Sequence, residues 1–339
     1  MPESTRNLRR FLWLPALFCR GFFSLRLFRH MLVLHGNAVG GGSVVYANTL
    51  LVPPEKVWRS GTWALLRDWA AEMPGHYRTA EKMLGVTTNP LLADADHMLK
   101  KLADEAGVGG SFYRTRVAVY FGADDEHAQP QQQGDPYFAG KGPARAPCIG
   151  CGGCMVGCRH RAKNSLDYNY LYLAEKLGVK VLAESRVSHI EPLDKQDKGH
   201  TGWRVTVKPF KQPEQHFTAQ NVIVSAGSLG TQALLFDMKE KGVLPELSPA
   251  LGRNVFTNAE SLIGVRFPGG SADFSRGIAI GSGIHLADGT HIEATRFPAG
   301  SNIASLLGTL MNHSRAGRMN LRQWLGAFAR GWLTRPWQM

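Results

Sequence analysis

Apolar residues recur at helical spacing in two parts of the chain. Residues 94–107 predict a helix that stops at Gly107, because five apolar residues fall on one face: Met98, Leu99, Leu102, Ala103 and Ala106. A second helix is predicted between the N-cap Ser165 and the stop at Gly178, with an apolar face of Leu166, Tyr170, Leu173 and Leu177. Both helices are amphipathic, so each is expected to bury one face.

Short apolar runs between polar turns predict the strands. In chain order they cover residues 117–121, 179–184, 187–190 and 203–207, the last two forming a hairpin. A final strand over residues 217–225 opens directly onto the small residues 226–230 and a helix from Thr231. A strand, a glycine turn and a helix in this order are typical of an α/β sheet where it meets an anionic ligand, since small residues allow close approach to the helix N-terminus.

A second glycine-rich turn lies near the start of the chain. Residues 39–43 read Val-Gly-Gly-Gly-Ser and lead into the apolar residues 44–46. Consecutive glycines let backbone N–H groups approach a ligand with no Cβ in the way, although many such turns bind nothing. The sequence contains no Gly-x-Gly-x-x-Gly, the usual pyrophosphate turn of a dinucleotide fold.

Composition narrows the class of protein. The chain has 339 residues, 44% of them apolar, which is enough for one large or two ordinary domains with a real core. The net charge of +12 favours anionic partners. The basic residues are not interleaved with aromatic residues, as single-stranded nucleic acid would require, so nucleic acid is not the expected partner.

Residues 9–31 form a basic and apolar segment. Its longest uncharged run, residues 11–19, has nine residues and contains Pro15, which is too short to span a bilayer. The pattern predicts a basic amphipathic helix that either lies on a membrane surface or packs on the body of the protein. No secretion signal precedes it, so we expect a reducing, cytoplasmic location with membrane association left open.

Four of the five cysteines fall within eleven residues, in the spacing Cys-x2-Cys-x2-Cys-x3-Cys of bacterial ferredoxins: Cys148, Cys151, Cys154 and Cys158. Three interpretations stay open, namely an iron–sulfur cluster, a zinc site, and free thiols or local disulfides. Arg159 stands where the ferredoxin pattern has proline. Only Cys19 is left as a remote ligand, so a complete second cluster cannot be built.

Taken in this order, the segments resemble the glucose–methanol–choline (GMC) flavoprotein oxidoreductases, most closely the cholesterol-oxidase branch. The resemblance runs from about His35 to Asn302 and includes residues 163–166, Lys-Asn-Ser-Leu. Residues 46–48, Tyr-Ala-Asn, stand where cholesterol oxidases usually carry Asn-Gly-Gly. The resemblance implies that FAD is the cofactor, bound by Gly40, Gly41, Gly42, Ser43, Asn48, Val187, Ala226, Gly227 and Ser228.

The resemblance also implies a catalytic residue. Residues 292–300 are similar to the cholesterol-oxidase segment whose glutamate faces the steroid, which assigns the catalytic base to Glu293. A carboxylate in an apolar pocket has a raised pKa and can accept a proton from an alcohol while hydride leaves for the flavin. The alternative is that Glu293 is an exposed strand residue beside Thr295 and Arg296.

Two family features have no counterpart in the sequence. The first strand with its glycine turn and ribose-binding acid is missing, and so is the C-terminal region with the catalytic histidine, because His313 lacks that context. The sequence is therefore interpreted as the central portion of a GMC oxidoreductase, truncated at both ends. Without the helix N-terminus that neutralises the pyrophosphate, we expect weak or absent FAD binding by this chain alone. A stoichiometric flavin band at about 450 nm would contradict that expectation.

The predicted fold is α/β (α+β), a partial FAD-binding Rossmann-like domain with a second, mostly antiparallel substrate domain. Residues 1–34 are assigned to the basic N-terminal segment, 35–60 plus 145–258 to the FAD-binding domain, and 61–144 plus 259–339 to the substrate or cap domain. The resemblance implies oxidation of the CH–OH group of an apolar, sterol-like alcohol by hydride transfer to FAD.

Two other functions stay open at this point. One is a metal-binding or iron–sulfur electron-transfer module built on the cysteines, and the other is an inactive gene fragment. A cluster that takes electrons from reduced flavin would make the protein a dehydrogenase and not an oxidase. The electron acceptor is left open.

Overall fold

A computed structural model describes residues 7–29, 32–194, 199–255, 260–264 and 271–301, with positions 322, 325, 326 and 329. The chain divides into two compact units, Met1–Val179 with Gly264–Met339, and Lys180–Ile263. The three-part domain division stays a prediction. His313 lies outside the described residues.

The described residues combine helices and strands. The α-helices are α1 (Leu8–Phe11), α2 (Glu55–Trp58), α3 (Trp69–Leu84), α4 (Asp94–Glu105), α5 (Tyr170–Lys176) and α6 (Gly227–Glu240). The strands are β1 (Trp13–Leu14), β2 (Cys19–Arg20), β3 (Phe23–Leu27), β4 (Leu32–Gly36), β5 (Thr87–Thr88), β6 (Tyr113–Arg114), β7 (Arg116–Val117), β8 (Ser185–Pro192), β9 (Trp203–Pro209), β10 (Gln215–Ala219), β11 (Ile280–His285) and β12 (His291–Thr295).

The sheets are small and antiparallel. The first unit contains the pairs β1–β2, β3–β4 and β5–β7 and a three-stranded sheet in the order β12-β11-β6. The second unit contains the three-stranded sheet β10-β9-β8. All of these strand pairs run antiparallel. A mixed fold with antiparallel sheets is thus confirmed, whereas the Rossmann-like arrangement stays a prediction.

The helix predicted over residues 94–107 is confirmed as α4, although only part of its apolar face is covered. Leu99 and Ala103 are buried against Ile284 of β11. Met98 and Leu102 are 41% and 48% exposed. The helix therefore packs on the sheet through a narrower stripe than the sequence pattern indicated.

A buried ion pair reinforces this packing. Asp96 of α4 is fully buried, and one of its oxygens lies 2.9 Å from a guanidinium nitrogen of Arg296, which is 3% exposed. The same carboxylate accepts hydrogen bonds from the Ser282 hydroxyl at 2.7 Å and from the Ala93 N–H at 2.9 Å. Arg296 comes directly after β12, so the pair ties the helix to both β11 and the end of β12.

The prediction of a helix over residues 9–31 is wrong. Among the described residues of this segment, only Leu8–Phe11 is α-helical, and the chain then turns through β1 and β2 into the hairpin β3–β4. Pro15 begins a 3-10 turn, and Phe18 follows with a φ of 58° in the left-handed region, which ends helical continuity. Cross-strand pairing and aromatic packing replace the helix, since the Phe11 and Phe23 rings lie 4.4 Å apart.

None of the described helices is long and apolar enough to cross a membrane. Membrane contact by residues 9–31 stays a prediction.

Several boundaries differ from the sequence-based expectation. The second helix is broken, because Asn169 leaves the helical conformation after a 3-10 turn at Leu166–Tyr168 and caps α5 by accepting the Tyr170 N–H at 2.5 Å. The strand predicted at residues 179–184 is not formed. Of residues 117–121, all buried, only Val117 belongs to a strand, β7.

The second unit confirms the predicted hairpin as β8 and β9, which pair from Ser185 to Pro209. The last predicted strand is shorter than expected, since β10 ends at Ala219 and residues 222–225 are unpaired among the described strands. Helix α6 begins at Gly227, four residues before the predicted start. It packs on β8 through Met238, which is fully buried and lies 3.4 Å from the Ile190 N–H nitrogen.

We expect Asp96→Asn to lower the free energy of unfolding by about 3–5 kcal/mol, because the Arg296 guanidinium would stay buried without its counter-charge. Urea denaturation followed by circular dichroism measures the change. Asp104→Asn is the control, since it breaks an exposed pair with Lys100 on the same helix and is expected to cost less than about 1 kcal/mol. Equal effects of the two substitutions would contradict the role of the buried pair.

Candidate functional site

The glycine-rich loop follows β4 and forms a 3-10 turn over Gly41–Val44. Ser43 fixes this turn, because its hydroxyl donates to the Gly40 carbonyl at 2.5 Å and accepts from the Leu166 N–H at 2.9 Å. Leu166 lies 123 residues further along the chain. The loop is thus held in place by the segment that follows the cysteines.

One side of this loop is closed and the other is open. A Cβ on Gly40 would lie 3.3 Å from a carboxylate oxygen of Asp167, and the φ of Gly40 is 99°, so only glycine fits there without strain. Around Gly41 and Gly42, no heavy atom of the described residues lies within 4 Å of where a Cβ would be. The backbone of these two glycines therefore offers an open surface that a flat ligand could approach.

Asn48 supports the same interpretation. The residue is fully buried and has a φ of 63°, a conformation that asparagine tolerates better than most residues. Both polar atoms of its carboxamide lack a hydrogen-bond partner among the described residues. Buried polar groups are normally hydrogen-bonded, so an unsatisfied amide six residues after the open surface of Gly42 fits a polar ligand such as FAD.

The cysteine turn, residues 148–158, lies in an apolar core and not on an exposed loop. Cys154 is packed with Val119, Ala162 and Ile278. Three of the sulfurs accept backbone N–H groups at 3.4 to 3.5 Å: Cys148 from Gly150, Cys154 from Ala279, and Cys158 from Lys163. These contacts place the turn between the segment that follows it and the start of β11.

The close packing of this turn depends on glycine. Gly152 has a φ of 67°, and a Cβ there would lie 2.4 Å from the Ser275 carbonyl oxygen. The alternation of cysteine and glycine in the motif therefore has a packing explanation that requires no metal.

The four sulfurs do not fit a metal centre as they are arranged. Burial raises the pKa of Cys148 to about 11 and that of Cys154 to about 12. The cavity that the cysteines line has a volume of about 10 Å³, the least that holds one water molecule. Among the described residues, no group of three or more His, Cys, Asp or Glu is placed to hold a metal ion. The iron–sulfur and zinc interpretations are not supported by this geometry.

Glu293 lies on β12, opposite Gly283 of β11. Its side chain is 23% exposed, so it is neither fully buried nor the freely exposed strand residue of the alternative interpretation. The nearest Glu293 carboxylate oxygen lies 3.8 Å from Nε2 of His291, and that nitrogen is 2.5 Å from the Tyr113 hydroxyl. The carboxylate is therefore part of a small polar group that reaches across the sheet from β12 to β6.

The pKa values of its neighbours reflect this environment. Burial, assisted by the Glu293 charge, raises the pKa of Tyr113 to about 12. Burial and then the neighbouring His285 lower the pKa of His291, so this imidazole is neutral at pH 7. Glu293 thus faces neutral hydrogen-bonding groups and no fixed positive charge among these neighbours.

The remaining predicted FAD contacts belong to the second unit. Val187 lies on β8 and is 37% exposed. Ala226, Gly227 and Ser228 are exposed at the N-terminus of α6, whose first turn has no acidic residue. The positive end of the helix dipole is open there and suits a phosphate.

Comparison with known proteins identifies the family. Residues 145–258 match the GMC oxidoreductase family model. The chain is 50% identical over 325 residues to a cholesterol oxidase of Acinetobacter baumannii, covering 95% of this chain and 58% of that protein. It is 43% identical over 315 residues to a cholesterol oxidase of Mycobacterium tuberculosis, covering 91% of this chain and 54% of that protein. The chain belongs to the GMC oxidoreductase family, as the sequence resemblance predicted, and spans little more than half the length of these relatives.

Sequence patterns missed two sets of residues at the site. Tyr113 is 178 residues away from His291, and no local pattern joins them. Lys163 stands in the polar and basic stretch 159–165, so the local sequence gives no signal of its burial. Each set depends on tertiary contacts that spacing along the chain does not reveal.

We expect Cys154 to resist alkylation by iodoacetamide in the native protein and to react readily in urea, because its thiol is buried and protonated. Peptide mass spectrometry would give the rate at each cysteine. Cys19, which is partly exposed and outside the cysteine turn, is the internal control. Alkylation of Cys154 as fast as that of Cys19 in the native protein would contradict the core assignment.

Proposed function

We propose that the protein is an FAD-dependent oxidoreductase that acts on the CH–OH group of an apolar, sterol-like alcohol. The observation that carries the proposal is the open backbone surface of Gly41 and Gly42 close in sequence to the buried, unsatisfied amide of Asn48. The identity with proteins named cholesterol oxidase supports the substrate class, since an enzyme of that name acts on a sterol alcohol.

In this proposal the glycine-rich loop of the first unit holds the flavin. The backbone of Gly41 and Gly42 lies against the flat ring, and the carboxamide of Asn48 bonds a polar atom of the ligand. In the second unit, the open helix N-terminus at residues 226–228 suits a phosphate. When bound, FAD supplies the hydride acceptor for alcohol oxidation.

Glu293 takes the proton from the alcohol hydroxyl in this proposal. Its carboxylate is partly buried and lies 3.8 Å from Nε2 of the neutral His291. The Tyr113 hydroxyl is hydrogen-bonded to Nε2 of His291. This hydrogen bond keeps the imidazole next to the carboxylate of Glu293. General-base catalysis of this kind contributes about 10²- to 10⁴-fold to a rate.

We expect Gly42→Val to weaken FAD binding by about tenfold or more, because its side chain would occupy the open surface. Gly42 does not have a positive φ, and nothing among the described residues lies near its Cβ position, so the substitution is compatible with the fold. Titration with FAD, followed by quenching of flavin fluorescence, gives the dissociation constant even if binding is weak.

Gly110→Val is the matched control, since Gly110 also has open space around its Cβ position and no positive φ. It lies in the 3-10 turn Gly109–Ser111, outside the proposed site. Equal binding of FAD by wild type and Gly42→Val would contradict the assignment of the loop.

We expect Glu293→Gln to lower kcat for a sterol alcohol by about 10²- to 10⁴-fold with little change in KM, because the amide cannot accept the proton. Steady-state oxidation by the FAD-loaded protein measures both constants. Asp288→Asn is the control, as Asp288 lies in the turn between β11 and β12 and accepts the Thr290 N–H at 2.8 Å. A Glu293→Gln protein with unchanged kcat would rule out this base.

The alternative function is a metal-binding electron-transfer module. Its support is the ferredoxin-like spacing of the cysteines, and the arrangement of their sulfurs speaks against it. Analysis of iron and acid-labile sulfide, together with the visible spectrum, separates the two functions. Metal without flavin would favour the module, and flavin without metal would favour the oxidoreductase.

A further inference from the structure

Lys163 places a charged ammonium group inside the protein. Its side chain is 1% exposed. The ammonium donates three hydrogen bonds to backbone carbonyls, at 2.8 Å to Val44, 3.0 Å to Tyr46 and 2.8 Å to Cys154. An ammonium has three N–H donors, so each donor has one acceptor and none is left over.

The three acceptors come from two separate segments. Val44 and Tyr46 close the glycine-rich loop, while Cys154 belongs to the cysteine turn. The ammonium also lies 4.8 Å from the centre of the Tyr46 ring, within the range of a cation–π contact. A single nitrogen therefore fastens the end of the loop to the cysteine turn.

The backbone of Lys163 is fixed as well. Its backbone N–H donates a hydrogen bond to the sulfur of Cys158 at 3.5 Å, and the residue pairs with Val119 in an isolated antiparallel bridge. The side chain therefore extends from a rigid part of the core. A loop bonded to such a group is held in one position.

The chain of contacts continues toward the sheet that carries Glu293. Cys154 accepts from Lys163 through its carbonyl oxygen and from the Ala279 N–H through its sulfur, at 3.4 Å. Ala279 directly precedes β11, which pairs with β12. Lys163 thus contacts both the proposed flavin loop and Cys154, and Cys154 in turn contacts Ala279 next to the proposed substrate sheet.

We infer that Lys163 is a positioning residue of the flavin site, whose ammonium holds the loop of residues 40–46 on the cysteine turn. The inference that Lys163 positions the flavin site rests on the proposed function. The inference that its ammonium holds the loop on the cysteine turn does not. Lys163 itself is no candidate for acid–base chemistry, because its nitrogen is enclosed and all its donors are occupied. Its effect on a ligand passes through the backbone of the loop.

The test compares Lys163→Met with wild type and with Lys176→Met, a matched substitution of an exposed lysine on α5. Hydrogen exchange followed by mass spectrometry reports on the loop, and titration with FAD reports on the site. We expect exchange in residues 40–46 to become about tenfold faster or more in Lys163→Met, with unchanged exchange in β8–β10. FAD binding should weaken in the same variant, and Lys176→Met should behave as wild type.

Lys163→Gln retains two N–H donors and is expected to give intermediate exchange and affinity. It also carries the comparison if Lys163→Met does not fold. Unchanged exchange in residues 40–46 would overturn the inference. Faster exchange with unchanged FAD affinity would overturn the positioning role of Lys163 and leave the proposed function standing. If wild type binds no FAD, the exchange rates alone test whether Lys163 holds the loop.

Discussion

The arrangement of the first unit depends on one buried ammonium. A charge at 1% exposure is destabilising unless its hydrogen-bonding groups are all satisfied, and Lys163 meets that condition only while three particular carbonyls surround its nitrogen. Two of these carbonyls belong to the glycine-rich loop and the third to Cys154. The loop therefore takes its position from the protein core, which leaves the backbone of Gly41 and Gly42 open toward a ligand.

The cysteines have a different place in this architecture from the one their spacing indicated. Clustered thiols in a ferredoxin-like order indicate metal binding only if several sulfurs converge as thiolates on a shared space. Here Cys154 is buried and Cys148 is partly buried against the same apolar cluster, and both sulfurs accept N–H groups and have raised pKa values. Cys154 connects the proposed flavin loop, through Lys163, to the start of β11, so its contribution is to packing.

A second buried charge positions the other half of the proposed site. Arg296 follows Glu293 by three residues and pairs with Asp96 of α4 inside the protein. An ion pair this deep fixes the end of β12 relative to the helix, because separating the partners would leave either charge buried alone. The carboxylate of Glu293 is thereby held at a defined place on the sheet, next to His291.

The sequence by itself determined helix α4, the β8–β9 hairpin and the position of the glycine-rich loop, because these depend on local periodicity and on short motifs with strong backbone preferences. The family followed from the resemblance of several ordered segments to GMC oxidoreductases. The sequence failed for residues 9–31, where pairing between Phe23–Leu27 and Leu32–Gly36 prevailed over an amphipathic pattern that also suits a helix. Only the tertiary structure decided the roles of Lys163 and Cys154. Burial and hydrogen bonding across more than a hundred residues, as between Lys163 and Val44, leave no signal in the spacing of residues along the chain.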